Sequence, residues 1–248
     1  MRGGQEEERG GESFLQPCTH RNYPLHCTTD KFTNLLYFCH IRKSIPRHNM
    51  ASLTRLKAVG KLKPSSTVLM VCDIQERFKS VIHEWDKMVT VSKTMIDAAN
   101  IMQMPVVVSE QYPKAFLHTV NEIQSSFDKS AKIFEKKKFS MLTEDCKKHL
   151  QSFKTEKKTA IVVGIEAHVC ILQTSLDLAE LGYEVHVLAD GVSSQNPDHH
   201  RHAMDRLRQS GIYVTTSESI LFQLCETAEY EHFRSISSLV KNQAAALK

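Results

Sequence analysis

From residue 65 onward, short apolar runs alternate with helix-patterned stretches, and few architectures accommodate that alternation. The segments 67–72, 105–108, 132–135, 159–163, 184–189 and 212–215 read as six strands. Between them, Asp86 caps a helix running to about residue 102 with Val89, Ile96 and Ala99 on its apolar face, and Thr143 with Glu144 opens another. A third follows Cys170, and Asp198 caps a fourth that ends at Gly211, a helix C′ residue. Ser217 opens the segment 218–224, and a last helix spans about 228–240. Strands separated by helices pair in parallel through right-handed crossovers. The expected product is a single α/β domain: a three-layer sandwich around a doubly wound, mainly parallel six-stranded sheet. Ligands of such sheets lie beyond the carboxyl ends of the strands.

The remaining composition narrows the function classes. With 248 residues, 41% hydrophobic and 24% charged, the chain is long enough for one sizeable core. A net charge of +4 with no aromatic-and-basic groove argues against a nucleic-acid partner. Neither GxGxxG nor GxxxxGK[ST] occurs, so no nucleotide cofactor is indicated. Seven irregularly spaced cysteines without a CxxC fit a reducing compartment better than a disulfide framework. No apolar run reaches the ~18 residues of a spanning helix, and no secretory h-region follows Met1.

Composition shifts near residue 50. Residues 1–49 hold four of the nine glycines and three of the seven cysteines, and read as a disordered extension. The set Cys18, His20, Cys27, Cys39 and His40 lacks finger spacing, so no metal is expected there. Residues 50–64 form a basic lead-in, with Met50 as an alternative start, and 65–243 form the domain. The expected location is cytoplasmic, with mitochondrial import as the alternative that the acid-free lead-in suggests.

Three polar groups fall at strand ends. Asp73 follows the first strand, Lys136 the third, and the turn Gly164-Ile165-Glu166-Ala167-His168-Val169-Cys170 follows the fourth. A thiol at a strand-to-helix turn lies among free backbone N–H groups at the positive end of a helix, which stabilises thiolates and oxyanions. A carboxylate, an ammonium and a thiol are base, cation and nucleophile, the parts of covalent acyl transfer. Individually each has a plainer role: a strand-end cap for Asp73, a surface charge for Lys136, a small buried hydrophobe for Cys170. Glu110, Gln111 and Tyr112 follow the second strand and are candidate substrate-binding residues, or simply a turn before Pro113. Ser193, Ser194 and Gln195 have similar standing. Cys72, beside Asp73, is expected to point to the opposite side of its strand, into the core. His199 and His202, a helical i, i+3 pair, have no third ligand and read as an exposed helix start.

Residues 65 to about 225 resemble the isochorismatase-like cysteine hydrolase superfamily. The match runs through Asp73-x-Gln75, through Lys136-x-x-Phe139-Ser140, which selects Lys136 over its lysine neighbours, and through Gly164-Ile165-Glu166-x-x-x-Cys170. More narrowly, Ser109-Glu110-Gln111-Tyr112-Pro113 resembles the animal isochorismatase domain-containing proteins. The backbone N–H groups of Glu166 and Cys170 can face a developing oxyanion. The resemblance implies an Asp73/Lys136/Cys170 triad, a cis peptide at Ile165–Glu166, and a homo-oligomer. No cofactor and no membrane association are expected, for want of a phosphate-binding loop and of a long apolar run. The nicotinamidase metal motif Asp-x-His is replaced here by Glu110-Gln111-Tyr112, so neither metal nor nicotinamide is implied. Isochorismatases proper lack the cysteine and cleave a vinyl ether, so Cys170 points to amide or related acyl chemistry on a small molecule. The alternative is a catalytically inactive binding or regulatory protein that retains the fold.

Overall fold

The computed structural model describes residues 59–153 and 156–248. The extension 1–49, its cysteines and histidines, and most of the basic lead-in lie outside the described residues. Six strands form one sheet: β1 (Thr67–Cys72), β2 (Val106–Gln111), β3 (Lys132–Lys136), β4 (Thr159–Ile165), β5 (Glu184–Ser193) and β6 (Tyr213–Thr215). Their order is β3-β2-β1-β4-β5-β6 and every pairing is parallel. The chain winds outward from β1 to one edge and then returns to the centre as β4. The topological switch point therefore lies between β1 and β4, the place where sheets of this kind bind their ligands.

The helices are α1 (Trp85–Ile101), α2 (Pro113–Phe116), α3 (Asn121–Gln124), α4 (Glu144–Gln151), α5 (Leu172–Glu180), α6 (Pro197–Gln209), α7 (Ser217–Cys225) and α8 (Phe233–Ala246). Strand alternation divides the core in two. Leu69, Val71, Val106, Val108, Ile161 and Val163 face α1, α7 and α8. Val68, Met70, Val107, Ala160, Val162 and Val187 face α4, α5 and α6. β1 and β4 are buried along their whole length, as expected of strands covered on both faces, and this explains their continuous apolar sequence. No described helix is long and apolar enough to cross a membrane.

The boundary differences have local causes. Asp86 lies inside the first turn of α1, and the cap position is Glu84, a left-handed residue without a side-chain capping bond. Trp85 opens the helix and is buried. Asn196, not Asp198, caps α6, its side chain accepting the Asp198 N–H at 2.8 Å. The last helix starts at Phe233, because a turn in which the Thr227 hydroxyl accepts the Glu229 N–H occupies the residues before it. β5 runs on to Ser193 beside the end of β4. Thr143 caps α4 as the sequence indicates.

Candidate active site

Asp73 is the first residue beyond β1 and has φ +53°, a left-handed conformation. This turn breaks the strand alternation that would send Cys72 and Asp73 to opposite sides. Cys72 is fully buried, as expected, but its thiol is not remote: its Sγ lies 3.5 Å from Asp73 Oδ2. The expectation of opposite sides is corrected by this one backbone angle. On the adjacent β2, Ser109 pairs in register with Cys72, and its hydroxyl donates to Asp73 Oδ1 at 2.7 Å.

Lys136 ends β3, an edge strand whose other residues are exposed or half-buried. Its side chain crosses the end of β2 and donates to Asp73 Oδ2 at 2.7 Å, to Gln111 Oε1 at 2.7 Å and to the Phe139 carbonyl at 2.8 Å. Three donors meet three acceptors, so the ammonium is satisfied while fully out of solvent. Cys170 Sγ lies 3.7 Å from the same nitrogen. Burial pushes the Asp73 carboxyl up from its ordinary value, against the pull of the Lys136 ammonium and the Ser109 hydroxyl. Burial alone would lower Lys136, but its acidic neighbours Cys72, Asp73 and Cys170 outweigh it and hold the ammonium above the usual lysine value.

Cys170 belongs to a single wide π-helical turn, Ala167–Ile171, that leads into α5. The turn is anchored by the Glu166 carbonyl, which accepts the N–H groups of Val169 and Ile171 at 3.0 and 3.1 Å. The Glu166 carboxylate accepts the Gln195 N–H at 3.0 Å, and Ser194 Oγ lies 3.0 Å from His168 Nδ1, so the end of β5 braces the turn. The Ile165–Glu166 peptide is cis. Gly164 has φ +114°, and a Cβ there would sit 2.1 Å from the Cys72 carbonyl oxygen. Only glycine permits β4 to approach β1 this closely at the switch point.

The second-strand candidates separate. Gln111 holds Lys136, and its backbone N–H donates to Gln75 Oε1 at 2.7 Å while Gln75 Nε2 donates to the carbonyls of Gln111 and Leu117. Glu110 instead turns to the 118–119 loop, accepting the Thr119 N–H and hydroxyl at 2.8 and 2.9 Å and lying 2.9 Å from His118 Nδ1. Tyr112 is exposed, with the Lys137 ammonium 5.3 Å from its ring centre. Sequence reasoning did not single out Ser109, Gln75 or Cys72 as site residues: strand register brings Ser109 to Asp73, the turn at Asp73 keeps the Cys72 thiol beside it, and Gln75 ties that turn to Gln111 and Leu117. His199, read as part of an exposed helix start, is exposed but packs its ring 4.4 Å from that of His168, two residues before Cys170.

Among the described residues, Cys72, Asp73 and Cys170 are the group with metal-ligand spacing, their donor atoms lying within 4.8 Å of one another. The cation in that cluster is the Lys136 ammonium, and a metal ion would compete with it for the same carboxylate.

The isochorismatase domain profile matches residues 67–219, which span every residue of this candidate site. Isochorismatase family protein 1A of Dictyostelium discoideum is 41% identical over 186 residues, covering 74% of this chain and 90% of that protein. Isochorismatase domain-containing protein 2 of Xenopus laevis is 38% identical over 192 residues, covering 77% of this chain and 92% of that protein. Among solved structures, MAR1 ribonuclease from Caenorhabditis elegans superposes with a TM-score of 0.70 at 38% identity, covering 73% of this chain and 92% of that one.

Proposed function

The chain belongs to the isochorismatase family, and on that premise we propose that it is a hydrolase of small amides or related acyl compounds with Cys170 as nucleophile. The observation that carries the reading is the buried Lys136 ammonium, bonded to Asp73 at 2.7 Å and 3.7 Å from the Cys170 sulfur. A buried ion pair is costly to build for stability alone. Beside a thiol at a strand switch point it has a chemical use. Cys170 Sγ attacks the acyl carbon while its proton passes to Asp73. The tetrahedral oxyanion is received by the backbone N–H groups of Glu166 and Cys170. Collapse expels the amine, which takes the proton from Asp73. A water then loses its proton to Asp73 and cleaves the thioester, restoring the thiol. Lys136 compensates negative charge on whichever partner carries it, and Gln111 keeps Lys136 in place. A carboxyl raised by burial is suited to move a proton in both directions.

The reading extends to a soluble, cytoplasmic homo-oligomer with a small-molecule substrate and neither cofactor nor nucleic acid. Tyr112, Leu117 and Phe139, three exposed hydrophobics near this strand end, support the oligomer. The test is an intact-mass screen of the full chain against a library of small amides, imides and activated esters, with an RNA oligonucleotide arm because the worm neighbour bears a ribonuclease name. The expected result is an acyl adduct mapped to Cys170 and turnover lost in Cys170→Ala. RNA cleavage that survives Cys170→Ala, or full acyl turnover by that variant, would refute it.

A further inference from the structure

The acyl mechanism leaves Cys72 without a part, although its thiol lies within 4.8 Å of the Cys170 sulfur, closer than two structural cysteines need be. Both belong to the same core cluster, and Cys72 ends β1 directly opposite Gly164 on β4. Cys170 is 7% exposed and Cys72 is 0% exposed, so a small oxidant entering from the strand ends meets Cys170 first. Asp73 Oδ2 stands 3.5 Å from Cys72 Sγ, in position to take its proton.

We propose that Cys72 and Cys170 are a reversible oxidation site: hydrogen peroxide oxidises Cys170, and Cys72 resolves the product as an intrachain disulfide. The proposal rests on reading Cys170 as a reactive thiol, but not on any substrate. In the first step the Cys170 thiolate attacks one peroxide oxygen and the O–O bond breaks. The departing hydroxide takes a proton and leaves as water, and the sulfur, oxidised by two electrons, becomes a sulfenic acid. In the second step the Cys72 thiol gives its proton to Asp73 and attacks the Cys170 sulfur. The S–O bond breaks, hydroxide leaves with the proton as water, and the S–S bond forms. The sulfurs must close by less than about 3 Å to reach the ~2.05 Å of a disulfide, a movement on the scale of side-chain rotation. The bond removes the nucleophile from use and protects it from irreversible sulfinic acid. A dithiol reverses it.

Burial holds Cys72 well above the ordinary thiol value, so it stays protonated and inert until Cys170 is oxidised next to it. Cys146 shares the core cluster of Cys72 and Cys170, and Cys225 lies in the other one, but neither belongs to the donor cluster around Asp73.

The test treats the full chain with hydrogen peroxide, blocks free thiols and maps peptides without reduction. The expected product is the tryptic peptide 62–77 linked to the peptide 159–201, with iodoacetamide labelling of Cys170 reduced at least tenfold and restored by dithiothreitol. In Cys72→Ser, or Cys72→Ala should the first variant fold poorly, dimedone-reactive sulfenic acid accumulates on Cys170 and proceeds to sulfinic acid. The wild-type peptide map needs neither variant. Sulfinic acid at Cys170 with no linked peptide, at equal rates in wild type and variant, overturns the proposal. Rapid labelling of the untreated protein would then leave the hydrolase reading standing. A Cys170 that neither oxidises nor labels overturns both.

Discussion

Lys136 and Asp73 are joined by a 2.7 Å ion pair although β3 and β1 are not neighbours. Two strand spacings separate them, about 10 Å, and the lysine side chain bridges that gap past the end of β2. Gln111, which pairs in register with Lys136, stands on the way and accepts one of its protons.

Asp73→Asn tests the carboxylate as proton acceptor. Burial raises Asp73, so as pH falls through that raised value the carboxylate protonates and Cys170 loses its base. Alkylation of Cys170 in the wild type should therefore fall off on the acid side at a pH above the ordinary carboxylate value of 3.8. Asp73→Asn should lack that inflection. Rates of iodoacetamide labelling from pH 4 to 8 check it.

Gln111→Leu removes an acceptor from Lys136 without changing charge. A buried charged donor left one bond short costs about 1–3 kcal/mol, and Cys170 alkylation should slow by about fivefold or more. Glu110→Ala provides the contrast, because Glu110 braces Thr119 and does not touch Lys136. Its melting temperature should fall while Cys170 alkylation stays within about twofold of wild type, a hydrogen-bond loss felt elsewhere.

Gly164→Ala should disrupt the switch point. The added Cβ meets the Cys72 carbonyl oxygen at 2.1 Å, a backbone atom in the central strand, and the positive φ adds strain. The expected loss exceeds about 3 kcal/mol in urea unfolding. Gly211→Ala is the control: it also has positive φ, but a Cβ there meets nothing within 4 Å, so only the conformational cost of about 1 kcal/mol applies.

His186 sets an acid sensitivity independent of the site. It is buried, stacked on Tyr213 at 4.7 Å between ring centres, and burial lowers it to about 4. Between pH 6.5 and about 4 the unfolded chain binds a proton that the folded chain refuses. Its contribution is therefore complete above pH 6.5 and is lost as pH falls to about 4, on the order of 3 kcal/mol at the lower limit. His186→Phe should flatten the fall in unfolding free energy across that window.

The sheet was legible because its central strands are buried on both faces, so β1 and β4 read as unbroken apolar runs and the Asp73, Lys136 and Cys170 motifs fall just beyond strand ends. The strand order and the meeting of Lys136 with Asp73 follow from crossovers that periodicity does not encode. Cys72 was assigned to the far side of its strand because alternation assumes an extended next residue, and Asp73 at φ +53° is not extended. The part played by Gln111 was hidden because a strand-end glutamine looks alike whether it meets a substrate or a lysine. Glu110, one residue earlier, points to the 118–119 loop instead. Capping of α6 was assigned to Asp198 because Asn196 and Asp198 carry nearly the same signal. Asn196 wins because Pro197 after it, with its fixed φ, suits the first helical position.

The most direct measurement is competitive alkylation of the native full chain at pH 7, with peptide mapping of every cysteine. Burial raises Cys146 to about 12 and also raises Cys72 and Cys225. Cys170, held between Asp73 and Lys136, should label at least tenfold faster than any of the three, and Asp73→Asn should abolish that lead. Equal labelling of Cys72, Cys146, Cys170 and Cys225 in the wild type would contradict the assignment of Cys170 as nucleophile.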